Sequence, residues 1–324
     1  SYSVTGVQTC ALPIWSDPGT ADRAAAALRG MIAAREFRRS KALRIGAPFA
    51  GMLDFDVPAG ELARAFGIGM ETASPSDLKD AIRSVSDDAI AAETRADADR
   101  FAVDCPAETH RLSVRVGLGI RSFLESGGFN AFSANFLALD DPDGPCVPFL
   151  EACKAMARGT GYAGEGDAFT ASFVGALSRG MGTTTFTEIF CPDWAGGRLL
   201  LSHMAEINPD ATDGTPSLCE HPFPYTKAGK PAYLAAGIRP GPAVYADLAP
   251  GPGGTFRLIA SAVRIEETPD LDESMRRKIR GWMKPPVALP RFLEEYGRLG
   301  GTHHAALVLR SEEHTSELQS PNTI

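Results

Sequence analysis

Three residues whose types suit metal or acid–base chemistry lie in the second half of the chain. Glu165 lies between two glycines in the run GYAGEGD, and a helix-forming run follows it. Glu188 follows a threonine-rich β run, and His203 ends the apolar run LLLSH. Because these side chains lie at the ends of separate elements, they are able to converge, which is how a metal or acid–base site is assembled.

Each carboxylate also has an ordinary structural interpretation. A glutamate in a loop is usually solvated, but the glycines around Glu165 permit close backbone approach and Asp167 is placed to cap the next helix. Strand alternation puts Glu188 on one face with Phe186 and Phe190. A glutamate on an apolar face is rarely left unpaired, so Glu188 is either in a salt bridge or a site ligand.

Each histidine near these carboxylates also has both a structural and a functional interpretation. His203 is either a hydrogen-bonded core residue or a ligand, and Glu206 is placed to support it as an outer carboxylate. The pair His303 and His304 follows a glycine turn and leads into an apolar strand. Adjacent residues on an extended chain point to opposite faces, so we expect only one of that pair to reach a given site. We expect the two remaining histidines of the central chain to be structural, and these are His110 and His221.

Two carboxylates with one or two imidazoles make a mixed oxygen and nitrogen donor set. Such a donor set is typical of a site for Mn²⁺ or a similar divalent ion, rather than of a zinc site built from thiolates. The sequence motifs of other kinds of site are incomplete or absent. Gly117 and Gly119 lie within a predicted amphipathic helix and lack the third glycine of a dinucleotide fingerprint, and the chain has no P-loop and no Gly-x-Ser-x-Gly elbow.

Composition excludes further classes of protein. The net charge of −8 at pH 7 argues against nucleic acid or an anionic membrane as a partner. No run of about 18 apolar residues is present, so we expect no membrane span. The scattered cysteines contain no CxxC pair, which indicates a reduced, cytoplasmic protein.

The two ends of the sequence do not resemble protein. VTGVQTCALPI and RSEEHTSELQS read as translations of a sequencing adapter. We therefore interpret residues 1–14 and 310–324 as artefacts and exclude them, together with Cys10 and His314. Residues 15–39 are predicted to end in the last helix of a preceding domain that is absent from this sequence.

Between the ends, two domains are predicted. Residues 40–182 alternate strand and helix, which favours an α/β, Rossmann-like domain. Residues 183–309 contain short β runs separated by Pro/Gly turns, which favours a mainly antiparallel, barrel-like C-terminal domain. The predicted strands are 41–49, 67–73, 130–139, 183–190, 198–202, 232–238, 243–248, 256–263 and 305–309. The predicted helices are 22–39, 75 onward, 86–101, 108–125, 147–158, 167–179, 271–282 and 289–297.

The order of five motifs resembles that of L-arabinose isomerases and, more broadly, of the L-fucose/L-arabinose isomerase superfamily. The motifs are FLESGGFNAFSANF at 123–136, GYAGEGD at 161–167, TTFTE at 184–188, LLSHMAEINP at 200–209 and GGTHH at 300–304. The resemblance implies a metal-dependent aldose–ketose isomerase that uses Mn²⁺ or another divalent metal on a small-molecule sugar. By position, the family's metal residues fall on Glu165, Glu188, His203 and His304, and the two glutamates are its candidate catalytic proton shuttles.

The resemblance also implies a homo-oligomer, a trimer or hexamer, in which an N-terminal domain lends residues to a neighbour's site. Since that domain is absent here, we expect this sequence alone to have little activity. Ile189 and Phe190 stand where the family usually has Asp-Tyr. The resemblance therefore does not identify which aldose is the substrate. The alternatives are a hydride shift in place of proton transfer, another metal-dependent sugar isomerase or epimerase, and a non-catalytic sugar-binding paralogue.

Overall fold

The computed structural model describes residues 19–142, 144–220, 223–268 and 272–310. The predicted adapter-derived segments lie outside these residues, except for Arg310. Cys10, His221 and His314 also lie outside them.

The helices of the described residues are numbered in chain order. They are α1 (Thr20–Arg38), α2 (Ala59–Phe66), α3 (Pro75–Arg83), α4 (Asp87–Arg100), α5 (Ala107–Gly127), α6 (Phe149–Ala157), α7 (Ala168–Met181), α8 (Glu273–Arg276) and α9 (Leu289–Arg298).

The strands are numbered in the same way. They are β1 (Lys41–Ile45), β2 (Gly69–Ala73), β3 (Ala102–Asp104), β4 (Ala131–Ala134), β5 (Gly161–Gly164), β6 (Thr184–Asp193), β7 (Arg198–Ser202), β8 (Thr212–Glu220), β9 (Ala232–Ile238), β10 (Gly241–Gly251), β11 (Thr255–Glu266), β12 (Gly281–Lys284) and β13 (His304–Leu309).

The first half of the fold is a four-stranded parallel sheet with the order β2-β1-β4-β5. All four residues of β4 and of β5 are buried, as expected for parallel strands covered on both faces. Helix α7 packs on β1, β4 and β5, and α1 packs against α7. The α/β prediction is confirmed, and the carboxyl end of β5 leads directly into the Glu165 turn.

The second half is a closed barrel with the order β10-β11-β12-β7-β6-β13. All of its pairings are antiparallel, which confirms the barrel-like prediction. A three-stranded sheet, β3-β8-β9, lies beside it.

The barrel and the parallel sheet share one hydrophobic core. Phe132 from β4, Phe169 from α7, Phe186 from β6 and Ala306 from β13 belong to the same buried cluster. Because the cluster continues from one architecture into the other, the end of β5 lies directly against the barrel strands that carry Glu188 and His304. The shared core therefore determines where residues of the two halves meet.

Two sequence predictions were wrong in type. The predicted strand 130–139 ends at Ala134, after which Asn135 accepts a hydrogen bond from the Leu137 backbone N–H at 3.0 Å and a 3₁₀ turn, Phe136–Leu139, follows. The predicted helix 271–282 begins outside the described residues and includes only the short helix α8. Its last residues enter β12, because the barrel needs that strand to join β11 to β7. The sequence patterns also failed to predict the short elements α2, β3 and β5 and the nine-residue strand β8.

The five cysteines within the described residues are free. Cys146 and Cys153 are fully buried, as expected for structural thiols. Among the described helices, none combines the length and the apolar composition that crossing a bilayer requires.

The close approach of β5 and α7 generates a stability prediction. A Cβ on Gly161 would lie 1.9 Å from the Ala171 carbonyl oxygen and 2.6 Å from the Gly175 nitrogen. We expect Gly161→Ala to lower the free energy of unfolding by about 1–3 kcal/mol, because α7 must move off the sheet. The measurement is chemical denaturation of the full chain. Gly60→Ala, where a Cβ meets nothing within 4 Å, is the matched control, and equal stability of the two variants would contradict the packing argument.

Candidate metal centre

The turn after β5 holds Glu165 in an unusual backbone conformation. Its φ of +62° is the one positive value among non-glycine residues in the described ranges. This region costs a non-glycine residue about 1–3 kcal/mol and persists where neighbouring contacts enforce it. The Phe49 N–H donates to the Glu165 carbonyl at 2.9 Å, and the Asp167 N–H donates to the Gly164 carbonyl at 2.9 Å. The carboxylate is therefore aimed by a strained turn that its surroundings hold in place.

The glycines on either side of Glu165 allow close approach. A Cβ on Gly164 would lie 2.7 Å from His203 Cε1. Gly166 has a φ of +88°, and a Cβ there would lie 2.9 Å from the Ala47 carbonyl oxygen. A side chain at either glycine would push the turn away from the histidine or from the loop after β1.

Three neighbouring barrel strands bring the remaining site residues to this turn. Glu188 on β6 pairs across the sheet with His304 on β13 and with Ser202 on β7, which His203 follows. The rings of His203 and His304 have centroids 5.4 Å apart. Phe186 lies against both rings, at 4.7 and 4.8 Å. Strand pairing therefore brings Glu188, His203 and His304 to the part of the barrel that lies against the Glu165 turn.

Glu165, His303 and His304 form the tightest group of ligand atoms. One ligand atom from each lies within 4.8 Å of the other two. His303 Nε2 is 3.5 Å from Glu165 Oε2, and His304 Nε2 is 3.7 Å from the same oxygen. Glu188 and His203 lie beside this group and outside that distance limit.

The expectation that only one of the paired histidines would reach the site was wrong. Strand β13 begins at His304, and His303 lies in the bend before it. Strand alternation therefore does not govern the direction of the His303 ring. Both imidazoles approach the carboxylate of Glu165, with ring centroids 4.1 Å apart.

Each of the three imidazoles meets a carboxylate through its Nδ1 atom. The pairs are His203 with Glu206 at 2.7 Å, His304 with Asp167 at 2.9 Å, and His303 with Asp54 at 2.6 Å. A carboxylate that accepts from Nδ1–H fixes the ring and leaves Nε2 as the free nitrogen, which is the usual outer arrangement of metal-bound histidine. The predicted support of His203 by Glu206 is present, and Glu206 also accepts from the Tyr162 hydroxyl at 3.0 Å.

Three polar atoms at the centre of the group have no hydrogen-bond partner within the described structure, although they are buried. They are Glu165 Oε2, His303 Nε2 and His304 Nε2. A buried polar atom without a partner costs about 1–3 kcal/mol. One carboxylate oxygen and two imidazole nitrogens that face each other are suitable donors for a divalent cation, so the residues present fit such an ion.

The electrostatic environment separates the two glutamates. Burial opposes ionisation of Glu165, but its close contact with His303 and the nearby imidazoles of His203 and His304 lower its pKa. Burial dominates at Glu188 and raises its pKa. The pKa of Glu165 therefore lies below the usual value for a glutamate, and that of Glu188 lies above it.

The environments of the histidines also differ. Burial opposes protonation of His303, but Asp54 and Glu165 raise its pKa to about 10. Complete burial and two neighbouring imidazoles hold the pKa of His304 well below its usual value. His304 is thus neutral and keeps the Nε2 lone pair that a metal requires.

The expectation that His110 is a structural residue agrees with its burial and its contact with Asp97 at 2.9 Å.

Sequence reasoning missed two residues of the loop between β1 and α2. Asp54 contacts His303, and Phe55 stacks on His304 with ring centroids 5.0 Å apart and planes 6° apart. Both residues lie about 250 positions before the histidines, and no motif in the sequence joined them to the site.

A cavity of about 370 Å³ adjoins His203. Its lining is mostly apolar and aromatic, and Phe190, Met204 and Tyr225 contribute to it together with Ser202. The cavity gives a small molecule room beside the candidate metal centre.

Two family models match the chain in succession. The L-arabinose isomerase central domain matches residues 59–183, and the L-arabinose isomerase C-terminal domain matches residues 183–320. The chain belongs to the L-arabinose isomerase family. Together the two models include the Glu165 turn and the barrel strands that carry Glu188, His203 and His304.

Curated relatives agree with the family models. The L-arabinose isomerase of Nocardioides sp. is 32% identical over 277 residues, which cover 80% of this chain and 53% of the relative. That of Mycolicibacterium smegmatis is 31% identical over 307 residues, which cover 90% of this chain and 60% of the relative. The chain therefore spans little more than half the length of the relatives that it matches.

In this family member, a buried aspartate holds the turn that carries the two histidines. Asp247 on β10 accepts from the Thr302 N–H at 2.7 Å, from the Thr302 hydroxyl at 2.9 Å and from the Tyr296 hydroxyl at 2.7 Å. Burial raises the pKa of Asp247 to about 6 in spite of these bonds. The position of the turn before β13 thus depends on a carboxylate that titrates near neutrality.

The raised pKa of Asp247 predicts how stability depends on pH. The native state holds this proton more tightly than the unfolded chain does, so its stabilising contribution is complete below pH about 4 and is lost as pH rises through about 6. In EDTA, the free energy of unfolding of the wild type relative to Asp247→Asn should fall by up to about 3 kcal/mol across that interval. Denaturation curves at several pH values measure it. The exposed Asp213→Asn is the control, and a pH-independent difference between wild type and Asp247→Asn would contradict the assignment.

Proposed function

We propose that this chain carries the metal centre of an aldose–ketose isomerase that acts on an open-chain sugar of the L-arabinose or L-fucose type. The observation that carries the proposal is the convergence of Glu165 Oε2 with the Nε2 atoms of His303 and His304. All three atoms are buried and have no hydrogen-bond partner in the described residues. Membership of the L-arabinose isomerase family supplies the reaction class.

We propose that Glu165, Glu188, His203 and His304 hold a divalent ion, with Mn²⁺ the best match to two carboxylates and two imidazoles. When bound, such an ion supplies Lewis-acid polarisation of the carbonyl and templating of the adjacent hydroxyl oxygen. The Nδ1 contacts of His203 with Glu206 and of His304 with Asp167 favour this role, because they fix both rings.

The two glutamates are proposed to move the protons. One accepts the proton from C2 of the sugar, which leaves an enediolate, and the same residue or its partner returns a proton to C1. Their environments suit different roles in proton transfer, because the pKa of Glu165 is lowered and that of Glu188 is raised.

We further propose that the complete protein works in the cytoplasm as a homo-oligomer. The buried free thiols of Cys146 and Cys153 are consistent with a reducing compartment. The trimer or hexamer rests on the family resemblance alone.

The metal assignment predicts the effect of neutralising Glu188. In the full chain, Glu188→Gln should weaken Mn²⁺ binding by at least about tenfold, because one anionic ligand is lost. Isothermal titration with Mn²⁺ measures the affinity, and circular dichroism checks that the fold persists. Glu125→Gln, on the exposed end of α5, is the control. A wild-type chain that binds no Mn²⁺, or a Glu188→Gln variant that binds as the wild type does, would overturn the assignment.

Turnover is predicted to need the part of the relatives that this chain does not match. We expect the chain alone to convert little L-arabinose to its ketose with Mn²⁺. A chimera in which residues 20–310 replace the matching part of the Mycolicibacterium smegmatis relative should regain Mn²⁺-dependent turnover and lose it with Glu188→Gln. Ketose formation is the measurement. A folded, metal-binding chimera that isomerises no aldose would favour a non-catalytic sugar-binding role.

A further inference from the structure

A buried tyrosine on β5 lies where the parallel sheet meets the barrel. Tyr162 precedes Glu165 by three residues and is 1% exposed. Its ring makes edge-to-face contacts with Phe132 and Phe186, with ring centroids 5.0 Å and 6.1 Å apart. Because this packing fixes the ring, the hydroxyl has one direction, and it donates to Glu206 Oε1 at 3.0 Å. The proposed function gives this hydroxyl no role.

The bond from Tyr162 and the contact with His203 lie on different oxygens of the Glu206 carboxylate. Glu206 Oε2 accepts from the Ala205 N–H at 2.9 Å and meets His203 Nδ1 at 2.7 Å. The last torsion of a glutamate side chain is broad, so contacts at a single oxygen leave the carboxylate plane poorly determined. A contact at each oxygen determines that plane. The Tyr162 hydroxyl therefore sets the orientation of the carboxylate that holds the His203 ring.

The contacts of the backbone after β7 do not replace this bond. The Asn208 N–H donates to the Thr185 hydroxyl at 3.0 Å, and the Asn208 side-chain amide donates to the Thr184 carbonyl at 2.9 Å. These bonds tie the chain to β6 two residues beyond Glu206, but they do not touch its carboxylate. The orientation of that carboxylate depends on Tyr162, which reaches it from the parallel sheet.

Strand β5 also meets His203 at a second place. A Cβ on Gly164, two residues after Tyr162, would lie 2.7 Å from His203 Cε1. The strand therefore approaches the ring directly at Gly164 and restrains its Nδ1 side through Tyr162 and Glu206. The same strand leads into the Glu165 turn, so it positions residues of both halves of the fold.

We propose that Tyr162 is a positioning residue for the isomerase reaction, and that its hydroxyl orients His203 through Glu206. The proposal rests on the metal-binding part of the proposed function and leaves the ligands proposed there unchanged. In this role Tyr162 contacts neither the cation nor the sugar. It keeps the direction of His203 Nε2 in register with the Glu165 turn, because one rigid strand carries both restraints.

A purely structural role for this hydroxyl predicts a different result. A buried tyrosine usually finds a partner for its O–H, and Tyr233 on β9 is such a case. It is 3% exposed, and its hydroxyl donates to the Arg277 carbonyl at 2.9 Å. Loss of a bond of that kind lowers stability. If the role of Tyr162 were only structural, loss of its hydroxyl would lower stability and leave the metal affinity unchanged.

The test is a double-mutant cycle on Mn²⁺ affinity, measured by isothermal titration with the full 324-residue chain. Tyr162→Phe keeps the ring and removes only the hydroxyl, and it should weaken binding by about three- to tenfold, the effect of one hydrogen bond. Glu206→Ala should weaken binding by about 10–100-fold, as loss of an outer carboxylate does. Because Tyr162 acts through Glu206, the double variant should bind within about twofold of Glu206→Ala alone. Tyr233→Phe is the matched control, and it should lose stability but bind Mn²⁺ as the wild type does.

The cycle separates this inference from the proposed function. If Glu188→Gln loses Mn²⁺ while Tyr162→Phe keeps wild-type affinity, the role of Tyr162 is refuted and the metal centre stands. An equal loss from Tyr162→Phe in the wild-type and Glu206→Ala backgrounds would show that the hydroxyl does not act through Glu206, which also refutes the proposal. A wild-type chain without Mn²⁺ affinity refutes both.

Thermal unfolding in EDTA checks the fold of each variant. A Tyr162→Phe chain that does not fold, or a Tyr233→Phe chain that loses as much Mn²⁺ affinity as Tyr162→Phe, would mark the effect as structural and refute the proposal. If Glu206→Ala does not fold, the near-isosteric Glu206→Gln, which removes the charge that the hydroxyl meets, takes its place in the cycle.

Discussion

The left-handed backbone of Glu165 is the constraint on which the rest of the site depends. A residue with φ of +62° is strained, and it is held here by the Phe49 N–H on one side and the helix-capping turn of Asp167 on the other. That conformation turns the chain out of β5 and directs the carboxylate toward the barrel instead of along the helix. Strain that surrounding contacts enforce is typical of functional sites.

The histidines depend on that turn because their supporting carboxylates come from different parts of the fold. Asp167 caps α7 through the Thr170 N–H at 2.8 Å and also meets His304, so the start of the helix and the barrel strand are fixed by one side chain. Glu206 comes from the segment after β7, and Asp54 comes from the loop after β1. The three imidazoles are therefore held by carboxylates from the parallel sheet, from the barrel and from the connection between them. A shift in any of these parts would move a ring nitrogen of the centre.

Much of the site followed from local sequence. Glu165 could be singled out because its flanking glycines and the helix behind it are adjacent in the chain. Glu206 could be paired with His203 because the two lie three residues apart. The assignment of Glu165, Glu188, His203 and His304 as metal ligands stays a prediction. Asp54 and Phe55 could not be found in this way, because their relation to the histidines exists only after the barrel has closed on the parallel sheet.

The errors in the fold have the same origin. Residues 281 and 282 were predicted as the end of a helix, yet they lie in β12 because the barrel needs a strand between β11 and β7. His303 was placed by strand alternation, but the strand starts one residue later. In both cases long-range closure decided the local conformation, whereas elements bounded by Gly or Pro in the sequence, such as β7, β9 and α9, were recovered closely.

Anomalous diffraction from crystals of the full chain soaked in Mn²⁺ tests the central claim most directly. We expect one strong peak within about 2.0–2.6 Å of Glu165 Oε2 and His304 Nε2, the range of metal–ligand bonds to oxygen and nitrogen. A peak elsewhere on the protein, or none at this site at saturating Mn²⁺, would contradict a metal centre built on the Glu165 turn.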